Sequence, residues 1–147
     1  TGVAGKGRGM ENAEALAQFL NRTNPAHVVN FSMFLHKEVP LYEDIRQGTF
    51  VPADELETIR EEYHLIERIA PEKAGANILY DGFHDFIHVR VRGHLPGDKE
   101  KMLAKLNGIM QEYEGKEPVY SFVQGECPDL EYCDDGKAVW DMDRKTS

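Results

Sequence analysis

Apolar positions recur along this chain with two different periods. Ala13, Leu16, Ala17 and Leu20 fall at i, i+3, i+4 and i+7, one face of a helix over 11–21. Asn21 to Pro25 stops that helix, because proline cannot continue it. Residues 27–35, HVVNFSMFL, are rich in β-branched and aromatic side chains. Such a run predicts a buried strand central to a sheet, with the preceding helix packed on its outer face. Pro40 to Gly48 reads as a single helical turn closed by glycine. Leu56, Ile59, Tyr63, Ile66 and Ile69 mark one face of the clearest helix, 53–69. Asp54 and Glu57 have the spacing of a capping box. The acids crowding this helix's first turns suit the positive end of its dipole.

Beyond it the period changes. Residues 76–93 are strand-like: Ile87, Val89 and Val91 alternate with His88, Arg90 and Arg92, giving one apolar and one polar face. Pro96 then opens a last helix at its first turn. Its stripe is Met102, Leu103, Leu106, Ile109, Met110 and Tyr113. In the tail, Asp135-Gly136 predicts a hairpin. From Glu126 onward the chain is acidic and expected to be peripheral.

Composition narrows the function classes. With 147 residues, 41% hydrophobic and 29% charged, the chain fits one folded domain. No apolar run approaches the roughly 18 residues of a membrane span, and the glycine-rich start is no signal peptide. A cytoplasmic protein is expected. A net charge of −9 makes nucleic acid a poor partner, because phosphate binding needs a basic face. The two cysteines, Cys127 and Cys133, are too few for a disulfide scaffold and oddly spaced for zinc.

Three features carry candidate chemistry. GVAGKGRG, residues 2–9, is either a ligand-facing loop or a plain connection; it has no Gly-Lys-Ser/Thr and is not a Walker A loop. Of the histidines, His84, His88 and His94 cluster. On a strand, residues four apart lie about 13 Å from one another, so no shared metal is expected. Acid–base or ligand-binding work remains open for them. Arg90 and Arg92, with His88, form either a carboxylate or phosphate contact or a solvated strand face.

Two stretches, Pro40-Leu41-Tyr42-Glu43-Asp44 and Arg92-Gly93-His94-Leu95-Pro96-Gly97-Asp98-Lys99-Glu100, appear in a familiar order after the glycine turn and first helix. Together they resemble the C-terminal half of a radical S-adenosylmethionine (radical SAM) enzyme, of the small single-domain subgroup of undefined activity. The resemblance covers about residues 1–112. It implies an α/β fold: a partial (β/α) barrel of radical SAM type, followed by a C-terminal α+β extension over 113–147. It further implies a parent enzyme that uses S-adenosylmethionine and a 4Fe-4S cluster on a small-molecule substrate. The cluster-binding CxxxCxxC loop is absent from this chain. A fragment starting near the end of the fifth barrel strand, inactive alone and prone to self-association, is therefore expected. Gly2 and Gly5 match the turn that approaches the cofactor's adenine, and His84 matches a subgroup histidine expected to act in catalysis. Asn30 and Ser32 share one face of the sixth strand, where they are expected to point into the lumen, as pocket lining or as a buried, satisfied pair. A stand-alone α+β binding or interaction module is the alternative.

Overall fold

The computed structural model describes residues 1–123. The expected hairpin at Asp135-Gly136, the acidic tail and both cysteines lie outside the described residues. Among these, four helices and one 3-10 turn accompany a three-stranded mixed sheet. The sheet is open; it does not close into a barrel.

Helix α1 (Gly9–Thr23) buries Ala13, Ala17 and Leu20, as the periodicity requires. Asn24 ends it in the left-handed region, donating its N–H to Leu20. Strand β1 (His27–Phe31) follows. Helix α2 (Pro40–Gln47) is longer than the single turn expected, with proline in its first turn and Gly48 as its left-handed cap. Helix α3 (Glu55–Arg68) matches its expected span. The Asp54 side chain accepts from the Glu57 N–H at 2.8 Å, the first half of a capping box.

The strand-like region resolves into a hairpin. Strand β2 (Ile78–His84) turns through a 3-10 segment (Asp85–Ile87) and a left-handed His88 into β3 (Val89–Leu95). Helix α4 (Lys99–Tyr113) begins three residues after Pro96, not at it, because Asp98 first closes the strand end by accepting the His94 N–H at 2.7 Å.

β1 pairs parallel with β2, and β2 antiparallel with β3. The expectation of a central strand over 27–35 therefore fails twice. β1 is an edge of the described sheet, and it ends at Phe31. Beyond it Met33 donates to the carbonyl of Thr1 at 3.1 Å and Leu35 to that of Ser121 at 2.8 Å, so the chain leaves β2 for other partners. The expected packing of the first helix on that strand is also altered: α1 lies chiefly against α3.

The main core joins Ile59, Leu65 and Ile66 of α3 to Ile78, Tyr80, Val91, Leu95, Met102 and Leu106. A second cluster gathers Leu35, Ile45, Tyr120 and Phe122. Val119, Tyr120 and Phe122, inside the extension expected over 113–147, pack against these two clusters.

Candidate functional site, a buried acid and histidine network

α3 buries three carboxylates, Glu55 and Glu62 toward the sheet and Glu61 toward the N-terminal turn and α1. Glu55, Glu61 and Glu62 are all buried, beside Thr58. Glu55, Ile59, Glu62, Ile66 and Ile69 run at alternating spacings of four and three, so Glu55 and Glu62 sit on the isoleucine stripe itself.

His84, at the end of β2, stands between two of them and is fully buried. Its Nδ1 lies 3.0 Å from Glu55 Oε2 and its Nε2 lies 2.9 Å from Glu62 Oε2. Ser32 Oγ is 2.7 Å from Nδ1 and Thr58 Oγ1 is 3.3 Å away. Ser121 donates to the other Glu55 oxygen. Glu62 Oε1 accepts from the Tyr80 hydroxyl at 2.8 Å and from Asn30 Nδ2 at 3.2 Å. Gly82 makes room for this: a Cβ there would fall 1.9 Å from Glu62 Oε1.

Burial pushes the His84 imidazolium toward losing its proton. The hydrogen bonds and charges of Glu55 and Glu62 outweigh that and hold its pKa at about 9. For Glu55, burial favours the neutral acid, yet the His84 hydrogen bond and charge, with Ser121 and Ser32, bring its pKa below the ordinary carboxylate value. Tyr80 is pushed well above the ordinary phenol by burial and by Glu62. It therefore stays a donor. No buried side-chain polar atom among the described residues lacks a partner, which such a network needs if it is not to destabilise the fold.

Four of the five sequence-predicted site residues, Gly2, Asn30, Ser32 and His84, converge here, and Gly5 lies beside them against Phe50 and Val51. Gly2 donates its N–H to Glu61 Oε2 at 2.9 Å, and the backbone nitrogen of Thr1 lies 3.1 Å from Asn30 Oδ1. Gly5 holds the same turn, accepting no side chain: its φ is +80°, and a Cβ would sit 2.9 Å from the Val51 carbonyl. Asn30 and Ser32 turn toward α3 rather than into a lumen, and of the two expectations for them they meet that of a buried, satisfied pair. His84 has both ring nitrogens occupied by the chain's own carboxylates. Glu55, Glu61, Glu62, Thr58 and Tyr80 were not singled out in the sequence. Glu55 and Glu62 carried one signal, their place on the isoleucine stripe; Glu61, Thr58 and Tyr80 carried none.

Among the described residues no helix packs on the opposite face of the sheet. Cross-strand register puts Val29, Asp81 and Arg92 in one row and Phe31, Phe83 and Arg90 in the next. Phe31 and Phe83 stack with centroids 5.0 Å apart, and the Arg90 guanidinium lies 4.6 Å over Phe83. Val29 and Phe31 are 49% and 48% exposed, high for large apolar side chains on a strand.

Among the described residues no group of acids, histidines or cysteines is arranged to hold a metal, and no helix is long and apolar enough to cross a membrane. Compared with known proteins, the chain matches no family model, no curated protein and no solved structure.

Proposed function

We propose that this chain is the C-terminal part of a radical SAM-type enzyme, forming one wall of its small-molecule pocket. One observation supports this reading above others. Among the described residues α1, α3 and α4 all pack toward one face of the sheet, while the other face and the β1 edge stay open. A barrel wall has this sidedness, with helices outside and the opposite strand face lining the interior. In this reading Phe31, Phe83, Asp81 and Arg92 line the pocket. The buried network stands behind it. His84 is a positioning residue that ties the ends of β1 and β2 to α3.

The residues present do not fit the 4Fe-4S cluster, which needs three or four thiolates; the whole chain has two cysteines. Nor is the glycine turn an open cradle for adenosine. Cβ atoms at Gly2 and Gly5 would meet Thr58 at 3.3 Å and Val51 at 2.9 Å, within the chain's own packing. In this chain the two glycines serve the turn's fit against α3 and residues 50–51.

The coding sequence upstream of Thr1 is the first test. A CxxxCxxC loop roughly 100–200 residues earlier, within ordinary domain length, is expected; its absence would overturn the proposal. The second is anaerobic iron–sulfur reconstitution of the chain by itself. Substoichiometric iron is expected, and near-stoichiometric iron with broad visible absorbance would contradict this division of labour.

A further inference from the structure

Arg90 and Arg92 also border a feature that the barrel reading leaves unused. Between β3 and α4 lies a cleft of about 410 Å³ lined by Arg90, Val91, Arg92, Lys101, Met102 and Lys105. Four of these six residues are cations and none is an acid, in a chain of net charge −9. Asp81 is the nearby counter-charge, and it is spent mainly on Arg90, which it meets at 2.9 and 2.8 Å. Arg92 reaches Asp81 only at 3.7 Å. Lys105 donates to the Arg90 backbone carbonyl, and Lys101 has no acidic partner among the described residues.

The backbone adds a donor. The His94 N–H goes to Asp98, so it points away from β2, and strand alternation turns the Arg92 N–H the same way. On this edge Lys105 takes the Arg90 carbonyl and Asp98 takes the His94 N–H. The Arg92 N–H between them has no partner among the described residues.

We propose that this cleft binds a small phosphate-bearing molecule, held by Arg92, Lys101, Lys105 and the Arg92 N–H. A single carboxylate would leave most of this charge uncompensated, whereas a phosphate dianion offers an acceptor to each donor. The volume lies in the small-ligand range of about 300–1,000 Å³. Lys105 on the Arg90 carbonyl and Asp98 on the His94 N–H interrupt the ladder an added strand would need, and the acidic remainder of the surface repels an extended polyanion. The site stands whether or not the chain belongs to a barrel.

The test is titration of the full chain with inorganic phosphate and, separately, ribose 5-phosphate, followed by amide NMR and calorimetry. Saturable shifts at Arg92, Lys101 and Lys105 are expected, with affinity falling about tenfold in Lys101→Gln and in Arg92→Gln. Lys73→Gln, remote from the cleft, should leave affinity unchanged. Thermal melts of each variant separate lost binding from lost folding. Tighter binding of ribose 5-phosphate assigns the site to an organic phosphate, and equal binding to the free ion; both support the proposal. No saturable shift, equal loss in Lys73→Gln, or preferential binding of a single-stranded oligonucleotide would overturn it.

Discussion

Replacing His84 by alanine should cost more than any other single truncation in the network. The side chain is fully buried between Glu55 and Glu62. Its loss leaves two carboxylates facing each other across a small void, and removal of one partner from a buried ion pair typically costs about 3–5 kcal/mol. Total stability of a domain is usually about 5–15 kcal/mol, so this is a large share. The same interaction makes a pH signature. His84 is raised from its ordinary 6.5 to about 9 in the fold. A raised pKa means the folded state holds the proton more tightly. Its contribution is fully present below 6.5 and is lost as pH rises through about 9. At 1.36 kcal/mol for each tenfold change in proton affinity, that is about 3 kcal/mol. Glu55 acts on the other side: its lowered pKa gives stability present above 4.5 and lost as pH falls through the folded value. Urea unfolding followed by circular dichroism at pH 6 and pH 9.5 isolates the His84 contribution, since both values lie above 4.5, where the Glu55 contribution is present. The unmutated chain should lose about 3 kcal/mol between them, and His84→Ala should start lower and lose far less. An alkaline loss that survives in His84→Ala, or a variant destabilised by under about 1 kcal/mol at pH 6, would refute the assignment of an imidazolium between two carboxylates.

Other sites give independent checks. Gly82→Ala places a methyl 1.9 Å from Glu62 Oε1; a loss of at least about 2 kcal/mol is expected in the same unfolding assay, since the carboxylate must leave His84 or Tyr80. Asp54→Ala removes the α3 cap seen at 2.8 Å and should cost about 1 kcal/mol, with Asp54→Asn largely restoring it. Asp81→Asn should cost under about 1 kcal/mol, because its partner Arg90 is half exposed and screened by water. The sheet face and β1 edge that the described residues leave uncovered should make the isolated chain self-associate in sedimentation equilibrium, and Phe31→Glu should shift it toward monomer.

The helices were legible in the sequence, because each is set by local periodicity and by end signals within a few residues. Ala13, Ala17 and Leu20 of α1, the Asp54 cap of α3 and Gly48 after α2 all act at short range. The alternation of Val89 and Val91 with Arg90 and Arg92 was legible for the same reason. The convergence of Gly2, Asn30, Ser32 and His84 was expected from resemblance, not from spacing, and residues 2–84 reach one place only through the fold. What the tertiary structure alone decided is what those residues face. The isoleucine stripe marks the face on which Glu55 and Glu62 lie but not what they meet there; they became partners of His84 because β2 brought it between them. Likewise β1 reads as a central strand by composition, since an apolar run records that side chains avoid water but not which partner covers them. Register with β2 turned Asn30 toward α3 and left Val29 and Phe31 on the open face. Side-chain pattern is local and therefore written in the chain; pairing, and with it burial and charge state, depends on which distant segment arrives.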